Sequence, residues 1–198
     1  MSISTASERR AASDFWSCWP TLLPDGSIYA PDLAHIQGGY LMAAGGTVIG
    51  TLPESLGGDF TLIGWYNQIN TSELPFICWD VGALSVAKVD NGGTHQLQIS
   101  DGTNPTINVD LTADGSSWFE VIVVRSGTSI LVYEGKTLIH TATGWSVIDY
   151  GTALAAISGF NVQVYDLRVL NLALVAADIV YYYDDVIEKS GSETQPRW

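Results

Sequence analysis

From Ala30 onward the chain is written as short apolar segments separated by small polar turns. Asn91-Gly92-Gly93, Asp101-Gly102, Asp114-Gly115, Ser126-Gly127 and Glu134-Gly135 recur at the roughly 8–12-residue spacing of an all-β sandwich or barrel. The runs between them have strand chemistry. Phe60–Tyr66 is aromatic and β-branched, and Trp118–Val124 alternates so that Phe119, Val121 and Val123 share one face. Ser129–Tyr133, the turn Glu134-Gly135 and Lys136–His140 predict a hairpin. Two stretches break the pattern. In residues 1–28, Thr5–Ser13 predicts a short helix capped by Ser4 or Thr5, followed by Phe15, Trp16, Trp19 and Pro20 and the turn Pro24-Asp25-Gly26. Near the other end, Ala173–Lys189, with Asp178 and Tyr181–Tyr183, predicts one helix packed on the strands. The expected organisation is an arm (1–28) for docking or packing, a two-sheet antiparallel sandwich with its terminal helix (29–189), and a polar tail (190–198).

Composition narrows the class. Of 198 residues 46% are hydrophobic and 15% charged, which places the chain with folded globular proteins. Seven Trp and nine Tyr supply a core, each aromatic covering roughly 150–250 Å². The net charge of −13 repels a phosphate backbone and excludes nucleic acid as a partner; its plain role is solubility. Cys18 and Cys78 sit among aromatics and are expected as buried free thiols. With His35, His95 and His140 they make no metal-ligand spacing. The first ten residues lack the apolar core of a secretory signal, and no apolar run reaches the roughly 18 residues of a membrane span. Synthesis in the cytoplasm without membrane insertion is the expectation.

Several segments together resemble laminin-G-like and pentraxin-like domains of the concanavalin A-like class. The pattern Phe-Thr-(Ile/Leu)-Ser-x-Trp is matched by Phe60, Thr61, Leu62 and Trp65, with Gly64 preceding the tryptophan. Phe76–Trp79 and Leu84–Val86 fit the short apolar strands that follow. Trp118–Val123 keeps the tryptophan and valines of Trp-His-His-Val-Ala-Val but not its histidines, and Val132–Lys136 resembles Tyr-Val-Asp-Gly-Lys. Val164–Val175 mirrors Ile-Asp-Asp-Val-Arg-Ile-Tyr-Asn-Arg-Ala-Leu-Ser and is the most specific match. There Leu167 and Val169 share one strand face and Asp166 and Arg168 the other. Asn171 is placed to stop the strand, and Leu174 with Ile179 to anchor the helix. The resemblance implies a jelly-roll β-sandwich, a platform that often binds carbohydrate. In the arm, Ser7–Ala12 followed by Leu23–Ile28 resembles the amino termini of small proteins encoded among bacteriophage structural genes. That implies a virion component, with other virion proteins or identical subunits as partners.

The chemistry present favours binding. Glycoside hydrolases on this fold typically carry Glu-x-Asp-x-x-Glu, which holds two carboxylates roughly 5–5.5 Å apart for retention; this chain has no Glu-x-Asp. Nor does it contain a nucleophile elbow, a phosphate-binding glycine loop or His-Glu-x-x-His. No catalytic residue is assigned, and the expectation is a non-enzyme. Lectins stack aromatic faces on sugar rings and bond hydroxyls with carboxylates or amides, sometimes through Ca²⁺. The loop-borne candidates are Asp90, Asn91, Trp145, Asp149 and Tyr150. Asp90-Asn91-Gly92 also reads as a plain turn, and Trp145 equally as a lid over the core; Trp65, Trp79 and Trp118 read as core. No loop gathers a dense set of acidic and amide residues, so no cofactor is expected, with Ca²⁺ the alternative. Interface candidates are Phe15, Trp16, Trp19, Tyr181, Tyr182 and Tyr183, against the plainer reading that arm and helix pack on each other. The favoured function is a non-enzymatic phage virion surface protein, in capsid decoration or a tail or fibre, possessing a lectin-like sandwich for host-surface glycans. A soluble lectin and a glycan-cleaving enzyme are the alternatives.

Overall fold

The computed structural model describes residues 40–42, 47–52, 55–68, 76–112, 119–156 and 162–190, with side chains over most of that range. Two six-stranded sheets face each other. The first runs in the order β1 (Tyr40–Met42), β12 (Val162–Leu170), β3 (Phe60–Gln68), β8 (Phe119–Ser126), β9 (Ser129–Glu134) and β10 (Thr137–Ala142). The second runs β2 (Thr47–Thr51), β11 (Ala153–Ala156), β4 (Phe76–Val81), β5 (Leu84–Asn91), β6 (Thr94–Ser100) and β7 (Ile107–Asp110). Every ladder among them is antiparallel. The architecture is the expected all-β jelly-roll sandwich with a C-terminal helix, α1 (Ala176–Ser190). That helix is not long and apolar enough to cross a membrane. The arm with Phe15, Trp16 and Trp19, the turn Asp114-Gly115, Trp118 and the polar tail lie outside the described residues, as do the side chains of Asp166 and Arg168.

Turn chemistry joins the strands as expected. β5 and β6 are linked through Gly92 and Gly93, both at positive φ (65° and 90°), with Asn91 opposite Thr94. That conformation is open to glycine and strained for other residues. The predicted hairpin is β9–β10, with Glu134 opposite Thr137.

The core between the sheets contains Phe60, Leu62, Tyr66, Trp79, Val86, Leu97, Ile99, Val121, Val123 and Val132. A register shift between Ile77 and Trp79 accompanies the burial of two adjacent residues, Cys78 and Trp79. β8 departs from a half-buried strand. Phe119, Val121 and Val123 face the core, while Ile122 and Val124 are equally buried on the other side. Helix α1 covers that second face: Ile179 and Tyr182 join Ile63, Trp65, Ile122, Val124, Tyr133 and Leu170 in a separate apolar cluster. A strand covered on both faces reads as a near-continuous apolar run, as Val-Ile-Val-Val does here.

The helix starts at Ala176, three residues later than the sequence pattern places it. Thr61 supplies the reason. Its Oγ1 donates to the Leu172 carbonyl (2.8 Å) and accepts from the Leu174 N–H (3.0 Å), holding the linker against β3. Leu174 packs on the helix-side cluster as expected. β12 ends at Leu170, immediately before Asn171.

Candidate functional site

The loop residues singled out by sequence separate in space. Asp90 and Asn91 stand at the β5–β6 turn, whereas Tyr150 bonds Asp101, which follows Ser100 at the far end of the same strand pair. Ser85 opposite Ser100 lies six residues from Asn91 opposite Thr94, a separation of about 20 Å along the strands. The five do not form one site.

Trp145 is only 2% exposed and packs in the inter-sheet core, so it offers no stacking platform; this corrects the ligand assignment in favour of the lid. Its backbone N–H is held by the Thr128 carbonyl (3.0 Å). Tyr150, at 4% exposed, is corrected likewise: its ring meets Phe60 edge-on and its hydroxyl donates to Asp101 Oδ2 (2.9 Å). Asp149 is exposed, but its Oδ1 accepts from the Ser55 hydroxyl and the Gly151 N–H, pinning a loop crossing. Asp90 is exposed and accepts from the Gly93 N–H (2.7 Å), closing the turn. Of the tyrosines, Tyr182 is buried under sheet one and Tyr183 stacks on Trp65 at 5.8 Å, so both pack within the chain. Tyr181 is exposed. Trp65 and Trp79 are buried, Trp65 on the helix side.

At the Ser100 end a polar knot ties two loops together. Asp101 accepts from the Thr103 N–H (2.9 Å), the Asn104 N–H (2.7 Å), the Asn104 amide (2.7 Å) and Tyr150. Asn104 in turn exchanges bonds with the Ser146 backbone. Arg125, fully buried, donates from Nη2 to the Ser146 carbonyl (2.9 Å) and from Nε to the Gly127 carbonyl (3.2 Å). Burial acts to raise the Asp101 pKa, but the bonds from Asn104, Thr103 and Tyr150 outweigh it and hold the carboxyl below its usual range. Burial first, then the hydrogen bond to Asp101 and the Asp101 charge, push the Tyr150 phenol up. A neutral phenol donating to a carboxylate is an arrangement for holding loops, not for proton transfer at neutral pH.

The surface open to a ligand lies elsewhere. On sheet one, α1 covers the middle of the outer face, over β3, β8 and β9. On the second sheet Leu97, Ile99, Ile107 and Val109 point inward, so by alternation Gln96, Gln98, Asn108 and Asp110 point out. They are bonded across strands: Asn91 Nδ2 to Gln96 Oε1 (3.2 Å), Gln96 Nε2 to Asp110 Oδ1 (2.6 Å), and Gln98 Nε2 to Asn108 Oδ1 (3.0 Å). Beside them β5 contributes the small residues Ser85 and Ala87. Asn91 alone links this face to the sequence-derived candidates. The glutamines are visible in the text Thr-His-Gln-Leu-Gln-Ile-Ser, but their partnership with Asn108 and Asp110 depends on β6–β7 register. Among the described residues no three His, Cys, Asp or Glu side chains converge as a metal cradle.

No protein-family model and no curated protein matches this sequence. Its fold is similar to a heptameric SAP-like pentraxin from Limulus polyphemus, with TM-score 0.55 and 11% identity over 73% of this chain and 75% of that one. It is also similar to botulinum neurotoxin type C, whose cell entry is dependent upon interaction with two ganglioside molecules (TM-score 0.51, 14% identity, 66% of this chain and 36% of that one). A third similarity is to the binding domain of botulinum neurotoxin DC in complex with rat synaptotagmin II (TM-score 0.51, 13% identity, 66% and 36%). The chain spans little more than a third of the toxin chains. At these identities the likeness shows the fold, a concanavalin A-like or laminin-G-like sandwich, and nothing finer.

Proposed function

We propose that this protein is a non-enzymatic, glycan-binding β-sandwich displayed on a bacteriophage virion, as a capsid decoration or a component of a tail or fibre. The observation that carries the binding half is the contrast between the sheets: α1 covers the middle of one, while the other presents Asn91, Gln96, Gln98, Asn108 and Asp110 outward. Planar amides and a carboxylate fixed on adjacent strands are the groups that bond vicinal sugar hydroxyls. Fold-level kinship with a pentraxin and with toxin binding domains supports the reading by analogy. The non-enzymatic half rests on the missing Glu-x-Asp pair and on Asp101 and Tyr150, hydrogen-bonded to each other, being spent on loop closure. The virion half rests on the phage-like arm, in which Phe15, Trp16 and Trp19 do the docking while the sandwich presents its face.

Mass spectrometry of purified particles from the producing phage tests display: peptides of this chain are expected, and their absence from particles ends the virion role in favour of a soluble lectin. A glycan array with the purified protein tests binding, and a blank array ends the glycan reading. A polysaccharide panel is expected to show no turnover; cleavage of any member overturns the non-enzymatic assignment.

A further inference from the structure

We infer that the open face of the second sheet selects neutral oligosaccharides and rejects sialylated, sulfated or phosphorylated ones. The inference rests on the glycan-binding reading above and specifies the ligand class of that same face.

The first ground is where the cations are. The chain has eight Lys and Arg. Lys88 and Arg125 are fully buried, Lys88 with its ammonium 4.6 Å from the centre of the Phe119 ring inside the sandwich. Lys136 follows β9 in sheet one and pairs with Asp184 of α1 (3.0 Å). Arg168 belongs to β12 of sheet one and Lys189 to α1. Arg9, Arg10 and Arg197 fall in the terminal stretches outside the described residues. Among the described side chains of the open face there is no cation, while Asp110 and Asp80 add negative charge beside the amides. A carboxylate, sulfate or phosphate brought there meets like charge and, among the described side chains, no counter-charge, and the molecule's net −13 adds to the repulsion.

The second ground is hydrogen-bond type. Gln and Asn each offer donors and an acceptor, as a sugar hydroxyl does, whereas anion sites need donors only. The side-chain bonds along Asn91–Gln96–Asp110 and between Gln98 and Asn108 orient the amides before a ligand arrives, which reduces the ordering cost on binding. The two rows are offset by two residues, about 7 Å along the strands, so an oligosaccharide rather than a single sugar engages both.

The test uses the full-length protein on an array of galactose-, glucose- and N-acetylglucosamine-terminated oligosaccharides, each printed beside its sialylated or sulfated counterpart. Neutral members are expected to bind at least tenfold better than their anionic counterparts. Binding to them should change by less than about twofold between low and high salt, since screening acts on charge pairs. Gln98→Ala and Gln96→Ala, checked for unchanged melting temperature, are expected to cut neutral binding about tenfold. Asp110→Lys should raise binding of the anionic members. Equal or stronger binding of sialylated or sulfated members by the unaltered protein overturns the charge selectivity and leaves glycan binding standing. Neutral binding indifferent to all three substitutions overturns the choice of face. A wholly blank array ends both this inference and the function it rests on.

Discussion

Single residues show how local text acquires meaning from what lies against it. Gly64 is unremarkable in sequence beyond its place before Trp65. In the fold, a Cβ there would clash with the Tyr66 hydroxyl and come within 2.6 Å of its ring. The Tyr66 ring is fully buried, edge-on to Trp79. Gly64→Ala is therefore expected to destabilise by about 1–3 kcal/mol through overpacking; urea melts with an unchanged midpoint would contradict this contact. Asp101 and Tyr150 make a second case. A carboxyl with a depressed folded pKa contributes stability above its unfolded value and loses it as pH falls through the folded value. A phenol with a raised folded pKa contributes below its unfolded value, about 10, and loses it as pH rises further. Stability is thus expected to fall at both acid and strongly alkaline pH. Tyr150→Phe should reduce the alkaline limb, which the buried Cys78 thiol and Tyr133 phenol share, and cost about 2 kcal/mol at neutral pH, measured by denaturant titration across pH. An alkaline limb undiminished in Tyr150→Phe would assign it wholly to those other groups.

At the scale of elements, periodicity and turn residues carried most of the information. The β9–β10 hairpin and the Gly92-Gly93 turn stand where the pattern placed them, and the terminal helix starts three residues later than expected. The alternation in β8 identified Phe119, Val121 and Val123 as core but was silent on Ile122 and Val124. Their burial depends on a helix over 50 residues downstream in the chain. Thr61 makes that docking specific, since its hydroxyl serves two backbone groups of the linker. Thr61→Val keeps the shape and deletes both bonds, leaving two part-buried backbone groups without this partner. A loss of about 1–3 kcal/mol is expected, with hydrogen exchange rising first over residues 176–184. Exchange unchanged there would mean that apolar packing alone seats the helix. Ile179→Ala, fully buried, should cost about 2–5 kcal/mol by the same readout.

For the molecule as a whole, burial governs reactivity and charge. Cys78 lies fully inside the sandwich and burial pushes its thiol pKa well up, so it is neither nucleophile nor redox sensor when folded. Alkylation of the Cys78 peptide, followed by mass spectrometry, is expected to track the global unfolding curve. Labelling well ahead of unfolding would reveal an opening of the core. Lys88 and Arg125 are likewise withdrawn into the interior, which leaves the accessible second sheet more acidic than composition alone conveys. The choice of ligand class follows from that withdrawal.

Alternating side chains and turn residues act between near neighbours, so the strands, the hairpins, the sandwich class and the existence of the helix were all determined by the chain's own text. Which residues share a site is a matter of long-range register. Asp101 meets Tyr150 across 49 residues and Thr61 meets Leu172 across 111, and no local period encodes either meeting. Tertiary structure alone therefore turned Trp145 and Tyr150 inward and assembled Gln96, Gln98, Asn108 and Asp110 into one face, because the packing of loops and the pairing of strands decide which polar groups keep access to water.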